Sequence, residues 1–168
     1  MTRHEQLIAW LNDAQAMEVS NKETLERHLK DAREFPHLEA GLHRHILETQ
    51  HQAHLVRDCI EQLGGGVSSA KNVLGNVMGK AQGLATAMFS DELLKNCLMD
   101  YALEHFEIAC YRSLVIAAED VGEARIAQTC REILQQEEAF ADWLAGQIPP
   151  VTRNFLRRGS LSDRPVAS

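Results

Sequence analysis

Four long stretches carry apolar residues at helical spacing, and each one ends at residues that break a helix. The predicted ranges are about 2–33, 37–63, 91–119 and 123–146, and the breaks are Phe35-Pro36, Gly64-Gly65-Gly66, Asp120-Val121-Gly122 and Pro149-Pro150. The pattern predicts two helical hairpins, because only a short turn separates the first helix from the second and the third helix from the fourth.

The composition favours an all-helical domain over a sheet protein. Of the 168 residues, 45% are hydrophobic and only 5% are aromatic, which suits one domain with a sizeable core. Residues 67–89 show a weaker, glycine-interrupted helical pattern. Two hairpins joined by such a connection make an all-α four-helix bundle with a long crossover that carries a short extra helix. A coiled-coil array is less favoured, because no strict heptad persists.

The remaining bulk properties set expectations for organisation and location. Residues 1–148 are predicted to form the bundle, and the arginine-rich residues 149–168 a loosely ordered tail. A net charge of −7 argues against nucleic acid or an anionic membrane as partner. The four cysteines lack CxxC spacing and indicate buried, reduced thiols. With no signal peptide and no apolar membrane span, the cytoplasm is the expected compartment.

Each of the four predicted helices carries a glutamate on its apolar stripe. The residues are Glu18, Glu48, Glu104 and Glu137, with Glu107 one turn from Glu104. A single such glutamate usually lies at a boundary and extends its carboxylate to water. Several of them buried together would repel one another and would resist ionisation. The pattern therefore indicates that cations neutralise these side chains.

The spacing of these residues supports one shared centre. Glu48 and His51 are three residues apart and project from one side of a helix. Glu18 and Glu48 are separated by 30 residues, and Glu104 and Glu137 by 33, so each pair straddles its hairpin turn. This arrangement is typical of di-iron and di-manganese carboxylate bundles. Oxygen ligands with few imidazoles favour iron or manganese over copper or zinc.

Four segments carry a resemblance to a known family. LNDAQAMEVS, HILETQHQ, YALEHFEIACY and ILQQEEAFADWL are similar to the helix motifs of the bacterial ferritin-like family of the YciE/YciF type, domain of unknown function 892. The similarity covers about residues 5–145 and is strongest at 101–111. It implies a ferritin-like bundle, a homodimer and a link to stress responses. The ligands it implies are Glu18, Glu48, Glu104 and Glu137, with His51 and Glu107 as secondary ligands.

One position departs from the symmetric ferritin-like pattern. Phe140 stands where a second Glu-x-x-His motif would place histidine. Two interpretations remain open: Glu107 replaces the missing ligand, or one of the two metal ions binds weakly.

The leading functional hypothesis is a protein that binds two iron or manganese ions. By analogy, Glu48 and Glu137 bridge the ions, while Glu18 and Glu104 are terminal ligands. Oxidation of ferrous iron or reduction of peroxide would follow, although the sequence leaves open whether the protein is an enzyme. One alternative is a metal-free structural or interaction bundle whose carboxylates are protonated or paired with His51 or His105. Another is an oxygenase, which would need an apolar channel to the metals.

Overall fold

The protein is all-helical throughout the residues that the computed structural model describes, 1–67 and 91–162. The helices are α1 (Arg3–His28), α2 (Pro36–Gln62), α3 (Glu92–Asp120) and α4 (Ala124–Ser162). All four predicted helices are thereby confirmed. The short extra helix predicted within residues 67–89 lies outside the described residues.

Local sequence signals set the beginnings of the helices. The Thr2 hydroxyl accepts a hydrogen bond from the Glu5 N–H at 3.1 Å, and the Glu5 carboxylate accepts one from the Thr2 N–H at 2.7 Å. This capping box satisfies two backbone donors at the start of α1. The Asp91 carboxylate caps α3 in a similar way, because it accepts from the Leu94 N–H at 2.8 Å.

The helices form a bundle in which every neighbouring pair is antiparallel. Helix α1 packs against α2 and α3, and α4 packs against α3 and α2. The pairs α1–α4 and α2–α3 are therefore diagonal, and the helices of each diagonal pair run in the same direction. The end of α2 and the start of α3 consequently lie at opposite ends of the bundle, about 40 Å apart for a helix of this length. A long crossover connection is required, as predicted.

The apolar core consists of two clusters at different levels of the bundle. One includes Leu7, Leu11, Ile60, Tyr111 and Ile133. The other includes Leu25, Leu42, Leu94, Phe140 and Leu144. Polar side chains from all four helices are buried between these levels. The core is thus interrupted by a polar layer.

Helix α4 does not end at Pro149-Pro150, and the prediction of a loose tail from residue 149 is wrong for its described part. The helix continues to Ser162, even though proline lacks the N–H that a helix interior uses. Packing offsets this loss: Val151 is buried in the second core cluster. Arg158 also forms an ion pair with Glu34 at 2.5 Å. Residues 163–168 lie outside the described part.

Two further expectations can be compared with the helices. No helix among the described residues is both long and apolar enough to cross a membrane. Cys59, Cys97 and Cys130 are buried and Cys110 is half-buried, in agreement with the predicted buried thiols. Burial raises the pKa of Cys97 and of Cys130 to about 12, which keeps both thiols protonated.

Gly41 should be sensitive to substitution, because α2 meets Trp143 of α4 at this residue. A methyl group on Gly41 would overlap the Trp143 ring, which also stacks on Phe140 with ring centroids 5.3 Å apart. Gly41→Ala is expected to lower the free energy of unfolding by about 1–3 kcal/mol, since the ring must move. Urea unfolding followed by circular dichroism measures the change.

Gly146 provides a matched control on α4. A methyl group there would meet no other side chain within 4 Å, so Gly146→Ala should stabilise the helix by about 0.5–1 kcal/mol. Equal effects of the two substitutions would show that Trp143 does not require a glycine at position 41.

Candidate metal centre

Four of the six predicted site residues meet in the polar layer between the two apolar clusters. Glu18 comes from α1, Glu104 and Glu107 from α3, and Glu137 from α4, and none is more than 1% exposed. Their burial follows from the apolar stripes on which they lie. The structure therefore brings these four carboxylates together inside the bundle, as the stripes indicated.

A histidine from α2, His45, completes a compact group with two of these carboxylates. Its Nε2 atom lies 3.3 Å from Glu104 Oε2 and 3.6 Å from Glu137 Oε2. One ligand atom from each of these residues lies within 4.8 Å of the other two. All three side chains are fully buried. This is the spacing at which one ion could contact an imidazole nitrogen and two carboxylate oxygens.

Three of the buried carboxylates accept a hydrogen bond at one of their two oxygens, from a buried side chain of α1 or α3. The Tyr111 hydroxyl donates to Glu18 Oε1. The Asn21 side-chain amide donates to Glu104 Oε1 at 3.3 Å and to Glu107 Oε2 at 2.9 Å. These donors fix the orientation of the three carboxylates and leave the second oxygen of each available.

The second oxygens have no hydrogen-bond partner among the described residues. These atoms are Glu18 Oε2, Glu104 Oε2 and Glu107 Oε1, and Glu137 lacks a partner for both of its oxygens. The His45 Nε2 atom also makes no hydrogen bond of acceptable geometry. Buried polar atoms are nearly always satisfied in folded proteins, and a cluster of exceptions calls for an explanation. Divalent cations would satisfy all of these atoms at once, so the donor set fits such ions.

The electrostatics of the cluster show how costly it is to keep these groups charged without cations. Burial raises the pKa of Glu18 to about 8, although the Tyr111 hydrogen bond acts in the opposite direction. Burial, together with the neighbouring carboxylates, raises the pKa values of Glu107 and Glu137 well above the usual range. Without cations, protons therefore occupy part of the cluster at neutral pH.

His45 carries positive charge into this layer. Burial alone would lower the pKa of His45, but its contacts with Glu104 and Glu48 outweigh burial and raise that pKa to about 9. The imidazolium therefore neutralises part of the negative charge when no metal is bound.

Glu48 lies at the edge of the layer and does not join the four buried carboxylates. Its side chain is 37% exposed, and its Oε2 atom lies 3.2 Å from His45 Nδ1. The hydrogen bond with His45 lowers the pKa of Glu48. Because Glu48 contacts one nitrogen of the imidazole while Glu104 and Glu137 lie near the other, the His45 ring stands between them.

The expectation that His51 points inward is wrong, because its side chain is exposed. The inner face of α2 instead presents His45, Thr49 and Gln52, all at most 1% exposed. His45 precedes Glu48 by three residues, so the imidazole lies one turn before the carboxylate and not one turn after it. The sequence thus offers a histidine three residues on either side of Glu48, and this spacing alone does not distinguish His45 from His51.

Phe140 also has a defined role. Its ring stacks on the His45 imidazole with centroids 3.6 Å apart and an interplanar angle of 13°. The histidine that a second Glu-x-x-His motif would place on α4 is absent, and an imidazole from α2 lies directly against the phenylalanine in its place. This contact adds a third interpretation of Phe140 to the two left open above, and the sequence did not suggest it.

Fold and site together define a ferritin-like four-helix bundle with a buried His/Glu cluster. The structure of a Desulfovibrio desulfuricans bacterioferritin, described as containing a di-iron site, is 18% identical and has a TM-score of 0.73. That likeness covers 99% of this chain and 94% of the bacterioferritin chain, and it shows the shared fold.

The chain belongs to the family described as Domain of unknown function (DUF892), whose sequence pattern matches residues 2–157. A crystal structure of a Xanthomonas campestris protein is 35% identical, with a TM-score of 0.82, over 95% of this chain and 99% of that one. The Escherichia coli stress protein YciF is 20% identical, with a TM-score of 0.77, over 88% and 95%. The predicted YciE/YciF relationship is thereby confirmed.

The metal-free protein should lose stability as the pH rises. The pKa of Glu18 rises from 4.5 in its ordinary state to about 8 in the fold, so the unfavourable burial of its charge develops between these values. His45 acts in the same direction. Its pKa rises from 6.5 to about 9, so its stabilisation is complete below 6.5 and is lost as the pH passes through about 9. Thermal unfolding in the presence of a chelator should show a falling melting temperature from about pH 5 to pH 9.

Two variants distinguish the effect of buried Glu18 on this pH dependence from the effect of a surface carboxylate. Glu18→Gln should flatten this dependence, because the amide does not titrate. Glu138→Gln removes a carboxylate on the same protein that pairs with Arg112 and is 43% exposed, and it should leave the slope unchanged. A melting temperature that rises across this pH range would contradict the prediction.

Proposed function

We propose that this protein binds two divalent iron or manganese ions in its buried carboxylate layer and uses them in redox chemistry. The observation that carries the proposal is the set of unpartnered buried atoms on Glu18, Glu104, Glu107, Glu137 and His45. Four carboxylates bring four negative charges, which two divalent ions balance. Such ions remove both the charge repulsion and the unmet hydrogen-bonding capacity of the layer.

The residues divide the work of holding the ions. Glu137, with both oxygens unpartnered, can serve both ions, which agrees with the bridging role expected from the sequence. Glu104 and His45 would hold one ion together with Glu137, and Glu18 and Glu107 would contribute the remaining carboxylates. Glu48, which the sequence predicted to bridge the ions, lies instead at the edge of the site and contacts His45.

The surrounding polar side chains hold the ligands in place. Tyr111 and Asn21 each donate from a buried position, so the carboxylates they contact are oriented before any ion binds. When bound, a pair of ferrous or manganous ions supplies two electrons, enough to reduce one hydrogen peroxide with two protons to two waters. Carboxylate-rich sites of this kind suit iron and manganese. Because the Escherichia coli relative is described as a stress protein, we assign the present protein to peroxide reduction or ferrous oxidation under stress.

One observation favours a metal-free bundle as the second candidate. The His45 imidazole contacts both Glu48 and Glu104, and its raised pKa allows partial neutralisation of the layer by protons alone. In that case the layer would be a structural network and added metal would have no effect on stability.

The homodimer implied by the family resemblance stays a prediction. Exposed Trp10, Phe106 and Ile116 on α1 and α3 are the apolar side chains that support it.

Isosteric substitution of the ligands distinguishes a metal site from a structural network. Adding Mn²⁺ to the parent protein should raise its stability, by about 2.7 kcal/mol at an ion concentration 100 times the dissociation constant. Glu104→Gln and Glu137→Gln should abolish this gain. Glu137→Gln should leave the metal-free protein as stable as the parent or more stable, because it removes a buried carboxyl group that has no hydrogen-bond partner.

Thermal unfolding with and without Mn²⁺ or anaerobic Fe²⁺ measures the gain, and elemental analysis measures the bound ions. The matched control is Glu138→Gln, which changes the neighbouring residue on α4 and should behave like the parent protein. A parent protein that holds no metal and melts at the same temperature with and without it would contradict the proposal and favour the metal-free candidate.

Two histidines on α2 provide a second test. His45→Gln should weaken Mn²⁺ binding by about 10- to 100-fold, as loss of a ligand or of its support commonly does. His51→Gln should leave the affinity unchanged, because this side chain is exposed. Isothermal titration of both variants at one pH compares them directly. The reverse order of effects would return the ligand role to His51.

A further inference from the structure

A crevice of about 430 Å³ opens between α2 and α4 beside the buried layer. Its lining includes Glu48 and Arg44 from α2 and Glu132, Gln136 and Ala139 from α4. Carboxylate and amide oxygens of this kind can replace water molecules around a hydrated divalent ion. The crevice is thus an opening to solvent that offers hard oxygen ligands.

Two residues that line the crevice, Glu48 and Phe140, contact His45 of the candidate metal centre. Glu48 contacts His45 Nδ1 at 3.2 Å, and the other imidazole nitrogen lies within 3.6 Å of Glu104 and Glu137 oxygens. Phe140, which also lines the crevice, stacks on the same imidazole. A single ring therefore separates Glu48 from the unpartnered oxygens of Glu104 and Glu137.

Another opening of the described chain has the wrong chemistry for an ion. A cavity of about 430 Å³ between α1 and α3 is lined mainly by apolar side chains, including Trp10, Met17 and Phe106. Stripping water from a divalent ion on such a surface is unfavourable, because few oxygens replace the lost ligands. The α1–α3 side of the layer is also held by Tyr111 and Asn21.

We propose that the α2–α4 crevice is the port through which divalent cations reach the buried centre. Glu48 is the carboxylate on which an arriving ion docks, and Glu132 attracts the ion to the opening. Arg44 repels the arriving ion, because its positive charge lies in the same crevice. The inference rests on the proposed function, since a port has a role only if the centre takes up ions.

Rates of Mn²⁺ uptake test the port separately from the centre. Stopped-flow mixing of metal-free protein with a fluorescent indicator loaded with Mn²⁺ gives the rate, and dialysis followed by elemental analysis gives the final stoichiometry. Glu132→Lys should slow uptake by about tenfold, and Arg44→Gln should accelerate it severalfold, because local charge steers ions into a cleft. Both changes should shrink as the salt concentration rises.

A bulky side chain in the crevice tests the route by its shape. Ala139→Trp places an indole at the lining and should slow uptake at least tenfold with an unchanged final stoichiometry. Ala145→Trp is the matched control, because Ala145 is also exposed on α4 but lies outside the crevice lining. If Ala139→Trp fails to fold, the opposite effects of Glu132→Lys and Arg44→Gln still decide the matter.

The outcomes separate the two proposals. Slower uptake in Glu132→Lys and Ala139→Trp, with full stoichiometry, supports the port. Rates of every variant within twofold of the parent, again with full stoichiometry, overturn the port and leave the metal centre intact. A parent protein that takes up no Mn²⁺ overturns the proposed function, and the port falls with it because it depends on that function.

Discussion

The burial of four carboxylates at one level of the bundle is the constraint on which the rest of the structure depends. Glu18, Glu104, Glu107 and Glu137 are removed from water, and burial together with the neighbouring carboxylates raises the pKa values of Glu18, Glu107 and Glu137. The fold supports this arrangement from both sides, because an apolar cluster lies above the layer and another below it. These clusters stabilise the bundle hydrophobically, while the layer between them weakens it whenever cations are absent.

The two walls of the polar layer differ in a way that suits the proposed metal centre, which would need both ordered side chains and a route from solvent. Between α1 and α3, buried pairs follow one another along the helices, including Tyr111 with Glu18, Asn21 with Glu107, and His28 with Asp100 at 2.6 Å. Between α2 and α4, the layer reaches half-exposed Glu48 and an open crevice. The first wall orients the carboxylates, and the second is the wall at which the proposed port would admit ions. Rigidity and access are thus assigned to different helix pairs.

The carboxylates could be predicted from the sequence, whereas the inward histidine could not. On α3 and α4 the site residues interrupt stripes that are otherwise apolar, so Glu104 and Glu137 stand out. On α2 the inner line at the level of the site is itself polar, since it consists of His45, Thr49 and Gln52. Hydrophobic periodicity has no signal to follow there, and it placed the inner face close to His51 instead. The continuation of α4 past Pro149-Pro150 was missed for a related reason: burial of Val151 depends on tertiary contacts.

The register of α2 and α4 explains how phenylalanine fits at position 140, where a second Glu-x-x-His motif would place histidine. Gln52 bonds to Gln136 at 3.0 Å, Gly41 admits the Trp143 ring, and the antiparallel pairing between these contacts sets Phe140 against His45. Trp143 stacks on the outer face of Phe140, so one aromatic column holds the imidazole in place. An imidazole supplied from α2 keeps the nitrogen in the layer and adds a connection that a histidine on α4 would lack, because His45 also contacts Glu48. With phenylalanine at position 140, the imidazole therefore comes from α2, where it lies near the buried carboxylates of Glu104 and Glu137 and also contacts Glu48 at the edge of the layer.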